Sequence, residues 1–113
     1  MSAPSSKPNL ERRTAPRARV EITSMLRTAD RKLCAIVVDL TEQGMAIRSA
    51  ETLRSNSIVD VWLSLPYSEH TIQCEGKIIW TDGMGHAGVQ FSGLQKDASR
   101  DLAEWLTQYA AKV

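Results

Sequence analysis

Four arginines near the amino terminus carry the most distinctive chemistry in this sequence: the stretch LERRTAPRARV contains Arg12, Arg13, Arg17 and Arg19. An arginine presents a planar fork of N–H donors that binds a phosphate, or the O6/N7 edge of guanine, through two hydrogen bonds. Pro16 disfavours a helix here, so Arg13 and Arg17 share one side of an extended arm, with Cα atoms up to ~13 Å apart. Such a pair can close around an anion. On residue type alone, a solvated leader that only aids solubility is the simpler interpretation.

A second polar group ends a stretch of β-branched residues. The sequence VVDLTEQGMAIRS places Asp39, Thr41 and Gly44 in a D-x-T-x-x-G pattern. Residues two apart on a strand point to the same face, so the carboxylate and the hydroxyl lie side by side. A carboxylate there accepts hydrogen bonds from the N1–H and N2–H₂ groups of guanine, and Gly44 permits a positive φ in the turn. Taken alone, an ordinary turn between two strands explains these six residues equally well.

The charge distribution narrows the choice of ligand. Residues 1–20 contain five basic residues and one acidic residue, whereas residues 21–113 contain nine basic and twelve acidic residues. A protein that binds a nucleic-acid polymer usually spreads its basic surface over the whole domain. The localised charge, together with only three Trp, two Tyr and one Phe, favours a small anionic ligand over single-stranded nucleic acid.

The elements that must position these groups are strands. Six segments alternate in polarity or are rich in β-branched residues, and short turns separate them: VEITSMLRTA, KLCAIVVDLT, MAIRSA, IVDVWLSL, TIQCEGKIIW and GVQF. The final segment changes to helical spacing after an N-cap at Asp97 or Ser99. Six strands in roughly 70 residues followed by one amphipathic helix predict an all-β fold, an antiparallel β-barrel with a C-terminal helix packed on it. We expect a disordered leader at 1–11, one domain at 12–113 and the helix at 97–112.

Other features of the sequence indicate a cytoplasmic protein that is not an enzyme. The sequence has neither a secretory h-region nor ~20 consecutive apolar residues. Cys34 and Cys74 fall in apolar runs, which predicts two buried thiols and no disulfide or metal site. His70 and His86 lack ligand spacing, and no Ser/His/Asp or Cys/His arrangement suggests nucleophilic catalysis.

Considered together, the two motifs resemble those of the PilZ domain, the bacterial cyclic-di-GMP receptor module. The family pattern is R-x-x-x-R on an N-terminal arm, followed by [D/N]-x-S-x-x-G. Residues 13–17 (RTAPR) match the first motif and residues 39–44 (DLTEQG) match the second. The resemblance continues through GMAIRS and GKIIW…AGVQF, and so covers residues 11–92. Thr41 stands where serine is usual.

This resemblance implies a six-stranded barrel and a role for each motif residue in binding cyclic-di-GMP, with no other cofactor. Arg13 and Arg17 would hold the phosphates and guanine edges. Asp39 and Thr41 would recognise a guanine from the barrel surface, and Gly44 would shape the turn. The arm would close over the ligand and alter a surface that a downstream protein recognises.

Two further residues are implicated by the resemblance. Trp80 falls where some PilZ domains stack a side chain on guanine, and a buried position at the barrel end is an equal alternative. Arg12 immediately precedes the arginine motif. In this family a basic residue at that position accompanies the binding of an intercalated ligand pair, so we expect two ligands per protomer. The implied context is second-messenger signalling in motility, biofilm formation or exopolysaccharide secretion. The rival hypothesis is a PilZ-like adaptor that binds a protein and no nucleotide.

Overall fold

The computed structural model describes residues 17–111, with side chains from residue 19 to residue 109. Arg12, Arg13 and the predicted leader at 1–11 therefore lie outside the described residues, and Arg17 is described by its backbone alone.

The described chain forms a closed antiparallel barrel of six strands, and one helix follows it. Around the barrel the strands run in the order β1-β2-β3-β6-β5-β4, which confirms the predicted fold class. The elements are β1 (Arg17–Arg27), β2 (Lys32–Thr41), β3 (Gly44–Ser49), β4 (Ile58–Ser64), β5 (Thr71–Thr81), β6 (His86–Ser92) and α1 (Lys96–Ala111).

Alternation along the strands fills the barrel with aliphatic side chains. In β4 the predicted inward positions Val59, Val61 and Leu63 are all buried, and the residues between them are not. Ser24 is the one buried polar residue of the described part, and its hydroxyl donates to the carbonyl of Ala35 at 3.4 Å. The interior of this small barrel is thus a packed core.

Three strands contain irregularities in their pairing, and the alternation of burial is interrupted in β2 and β5. The pairing register shifts between Arg19 and Ile22 in β1, between Val37 and Asp39 in β2, and between Ile78 and Trp80 in β5. A β-bulge adds one residue to a strand and thereby moves the following side chains to the opposite face.

The helix α1 begins at Lys96, one residue earlier than predicted, and its predicted end at residue 112 lies outside the described residues. The carbonyl of Gln95 accepts the N–H of Ser99 at 2.8 Å, which is the first intrahelical bond. Gln95 therefore occupies the N-cap position, and the prediction of Asp97 or Ser99 at this position is wrong. Asp97 lies in the first turn instead.

Leucine and aromatic side chains attach α1 to the barrel. Leu102 and Leu106 are fully buried. Trp105 stacks on Tyr109 with ring centroids 4.8 Å apart, and its Nε1 donates to the carbonyl of Pro66 at 2.8 Å. The helix therefore packs on the barrel and holds the turn between β4 and β5.

The two cysteines differ in environment. Cys74 faces the core, and burial raises the pKa of its thiol to about 11. Cys34 is exposed, so the prediction that both thiols are buried is wrong for Cys34. It lies between the buried residues Leu33 and Ala35 of β2, and alternation therefore directs it outward.

In the part of the chain that the structure describes, no helix combines the length and apolar character needed to cross a bilayer.

Candidate ligand-binding site

One row of paired residues crosses four strands and defines a cleft on the outer face of the barrel. Asp39 of β2 pairs with Ala46 of β3, Ala46 pairs with Gly88 of β6, and Gly88 pairs with Trp80 of β5. Neighbouring strands lie ~4.8 Å apart, so two small residues, Ala46 and Gly88, form a floor, and the indole lies over its Gly88 end. Arg19 of β1 pairs with Asp39 and extends the row to a fifth strand.

The cleft has a volume of about 300 Å³. Asp39, Thr41 and Trp80 line it, together with the amide side chains of Gln43 and Gln90. This volume is at the lower end of the range for small-molecule sites, and an aromatic wall beside a few polar groups is typical of them. The cleft therefore suits a planar, polar group such as a nucleobase.

Bulges in β2 and β5 direct the two side walls of the cleft outward. Val37 faces the core, and strict alternation would place Asp39 there too, but the bulge gives the inward position to Leu40. Likewise Ile78 is buried, whereas Trp80 is 45% exposed. Ile78 and Trp80, two residues apart, thus face opposite sides of the sheet, and the alternative of a buried position for Trp80 is wrong.

Thr41 uses its hydroxyl to form the turn between β2 and β3. The Oγ1 atom accepts hydrogen bonds from the backbone N–H groups of Gln43 at 3.1 Å and Gly44 at 3.2 Å. It also lies 3.3 Å from the carbonyl oxygen of Gly44, to which it donates. A hydroxyl that substitutes for backbone partners in this way fixes a turn, and this turn forms one end of the cleft.

Gly44 is required at its position for a different reason from the one predicted. The described glycines with positive φ are Gly83, Gly85 and Gly93, so the expectation of a positive φ at Gly44 is wrong. A Cβ atom at Gly44 would instead collide with the carbonyl oxygen of Val89 on β6. The glycine thus permits β3 and β6 to approach closely beneath the cleft.

Comparison with known proteins identifies the fold. The sequence matches the family model described as PilZ domain over residues 11–108. The chain belongs to the PilZ domain family. A search of curated proteins gave no match.

Solved structures of PilZ proteins share this barrel. The PilZ domain of YcgR from Escherichia coli, solved with c-di-GMP, aligns with a TM-score of 0.70 at 14% identity, covering 89% of this chain and 93% of that one. The PilZ domain of CeSA from a cellulose synthesizing bacterium gives 0.64 at 15% identity, covering 83% and 97%.

A longer protein, the Bacillus subtilis inhibitor of motility MotI/DgrA, aligns with a TM-score of 0.77 at 13% identity and 89% coverage of this chain. The present chain spans about half of that protein, since 52% of its length is covered. At these identities the similarity establishes the fold, and the site must be argued from this chain's own residues.

In this PilZ barrel, four of the seven predicted site residues surround one cleft: Asp39, Thr41, Gly44 and Trp80. Arg17 begins β1, and its backbone pairs with Thr41. The arginine motif thus leads directly into the strand beside the cleft. The roles assigned to all seven residues stay predictions.

The hairpin that follows Trp80 in the PilZ barrel is fixed by a carboxylate. Asp82 accepts backbone N–H groups from Met84 at 2.7 Å and His86 at 3.1 Å, and its second oxygen lies 2.7 Å from Nδ1 of His86. The Met84 N–H, and then the contacts with His86, hold the pKa of Asp82 below its usual value. These bonds order the β5–β6 turn near the cleft.

Sequence reasoning missed three groups at the PilZ cleft: Gln43, Gln90 and Gly88. Gln90 belongs to the predicted strand GVQF, where alternation could have assigned it to the outer face. Gly88 begins the same segment and carries the same signal, whereas Gln43 carries none, because its position depends on which strands become neighbours around the barrel.

Proposed function

We propose that this PilZ domain is a receptor for cyclic-di-GMP. The observation that carries the proposal is the row from Asp39 to Trp80, which places a carboxylate at one end of a floor of small residues and an exposed indole over the other end. The PilZ domain of YcgR from Escherichia coli, which has the same fold, was solved with c-di-GMP. The sequence motifs and this row together support the same ligand class.

A guanine base suits the groups in the cleft. Its N1–H and N2–H₂ groups both donate to the carboxylate of Asp39. Adenine lacks this pair of neighbouring donors and cannot bind the carboxylate in the same way. Gln43 and Gln90 add amide donors and acceptors at the same cleft. Trp80 offers an aromatic surface on which a base stacks, an interaction that contributes to binding of any base.

The arginines complete the site in this proposal. Arg17 begins β1 opposite Thr41, and an extended chain spans up to ~13 Å from there to Arg13. This length allows Arg13 and Arg17 to reach phosphates at the cleft, where a guanidinium binds an anion through two hydrogen bonds. Arg12 lies next to the motif, and we propose that it helps to retain a second, intercalated ligand.

The proposed output is a protein interaction and not a reaction. Closing the arm over the ligand would change the surface beside β1, which a downstream protein then recognises. The similarity to an inhibitor of motility and to a PilZ domain from a cellulose synthesizing bacterium makes motility, biofilm formation and exopolysaccharide secretion the contexts to test. We place this activity in the cytoplasm.

Isothermal titration calorimetry with cyclic-di-GMP tests the proposal. We expect micromolar or tighter binding with two ligands per protomer, and loss of binding in Arg13→Ala and Asp39→Ala. Arg31→Ala and Glu69→Ala are matched controls, because both residues lie in exposed turns and neither lines the cleft. Binding by both site variants at the parent affinity would refute the site.

A parent protein that binds no cyclic-di-GMP would instead favour the rival function, an adaptor without a nucleotide. A pull-down separates these functions. The receptor captures its partner in a ligand-dependent manner, whereas the adaptor captures the same partner with and without nucleotide.

A further inference from the structure

We infer that Gly88 is a positioning residue, which holds the indole of Trp80 against the barrel so that its outer face is presented to the ligand. The effect of Gly88 on ligand affinity rests on the proposed function. The contact between Gly88 and Trp80 is present without ligand, so it can be tested in the ligand-free protein.

Burial of Gly88 is the first observation. Its neighbours in β6, Ala87 and Val89, face the core, so alternation directs position 88 outward. An outward position on a barrel is normally exposed, yet Gly88 is buried. Something on the outer surface therefore covers it.

The covering group is the indole of Trp80, its partner in the β5–β6 ladder. The three heavy atoms nearest to a Cβ placed on Gly88 all belong to this ring. That Cβ would overlap Nε1, and it would lie 2.7 Å from both Cδ1 and Cε2. The five-membered part of the indole therefore occupies the space that any side chain at position 88 would need.

Cross-strand pairing explains why a glycine is used here. An aromatic side chain opposite a glycine covers the exposed backbone of the partner strand and gains contact area that a larger neighbour would prevent. One side of the Trp80 ring is then packed on β6, and 45% of the residue stays exposed. The indole is held in place before a ligand arrives, so less side-chain freedom is lost on stacking.

An added methyl group at position 88 should therefore act through Trp80. In Gly88→Ala the ring must move away from the floor of the cleft, and stacking is lost. Since stacking on an aromatic residue contributes a factor of about 5 to 150 in affinity, we expect cyclic-di-GMP binding to weaken by a factor in this range. Trp80→Ala should show the same loss.

A double-mutant cycle separates positioning from a direct role of Gly88. With the indole removed, the methyl group has nothing to displace, so Gly88→Ala with Trp80→Ala should bind within twofold of Trp80→Ala alone. The double variant should also unfold at a higher temperature than Gly88→Ala. Additive losses of affinity, or no recovery of stability, would overturn the inference.

Proton NMR of the ligand-free protein tests the contact directly. The α-proton of Gly88 that occupies the Cβ direction points at the aromatic ring, so it should resonate upfield in the parent and return to an ordinary position in Trp80→Ala. Unshifted signals in the parent would overturn the inference even if Gly88→Ala failed to fold. A parent that shows the shift but binds no cyclic-di-GMP would refute the proposed function and leave the contact standing.

Gly76→Ala is the matched control. It also adds a methyl group to a strand glycine, but that methyl points into the core, 2.6 Å from Cγ1 of Val89. We expect Gly76→Ala to have a lower free energy of unfolding than the parent. The upfield shift at Gly88 and the affinity for cyclic-di-GMP should both equal those of the parent. A loss of affinity in this control equal to that in Gly88→Ala would attribute both effects to the fold.

Discussion

Replacing Thr41 by valine removes a hydroxyl while it nearly preserves the shape of the side chain. In the structure this hydroxyl accepts from two backbone N–H groups, those of Gln43 and Gly44, and donates to the carbonyl of Gly44. The variant leaves these partners to water or to no partner at all. A hydrogen bond of this kind contributes ~0.5–1.5 kcal/mol net.

The turn is only partly buried, so water can replace some of the lost bonds. We therefore expect a loss of about 1.5–3 kcal/mol in the free energy of unfolding, which is the lower half of the sum for three bonds. Thr41→Ser is the matched control. It keeps the hydroxyl and restores the residue usual in the family pattern, so its free energy of unfolding should stay within about 0.5 kcal/mol of the parent.

Urea unfolding followed by circular dichroism measures both variants without ligand. A valine variant as stable as the parent would refute the structural role of the hydroxyl and leave only a direct contact with the ligand. A serine variant as unstable as the valine variant would show that the hydroxyl alone does not fix the turn and that the methyl group contributes as much.

Three further results follow from the described contacts. A water-soluble thiol reagent should modify exposed Cys34 in the native protein and Cys74 only on unfolding, as mass spectrometry will show. Burial raises the folded pKa of Cys74 from 9.0 to about 11. The contribution of the protonated Cys74 thiol to the free energy of unfolding should therefore be lost as the pH rises through that window. Gly44→Ala should lower the free energy of unfolding by about 1–3 kcal/mol, measured in urea, because the methyl group meets the Val89 carbonyl. Hydrogen bonds lower the pKa of Asp82 below 3.8. The contribution of its carboxylate to the free energy of unfolding should therefore be present above pH 3.8 and disappear as the pH falls through the folded pKa. Acid unfolding of Asp82→Asn should lack this component.

Alternation was sufficient to predict the barrel but not to predict which way its binding residues point. The inward positions of β4 follow from period two, because no irregularity interrupts that strand. In β2 and β5 the pairing register shifts near Val38 and Ile79. Both are ordinary strand residues, so nothing in their types marks a bulge. The directions of Asp39 and Trp80 therefore required the pairing register itself.

Gly44 shows a second limit of sequence reasoning. The motif identified a position that requires glycine, and a turn with positive φ was the local explanation. The actual constraint comes from the carbonyl of Val89, a residue far along the chain that pairing brings alongside. A distance between backbones of separate strands leaves no trace in the spacing of a motif.

Placing the cleft on the outer face separates ligand binding from core packing, because a six-stranded barrel has an interior that side chains fill completely. Gln90 projects outward and is exposed, so replacing it should change affinity with little effect on the free energy of unfolding. Thr41, Gly44 and Gly88 differ, because their contacts with the turn, with β6 and with the indole belong to the fold as well. Substitutions at these three positions should lower stability and affinity together. Equal losses of stability in Gln90→Ala and Thr41→Val would contradict this division.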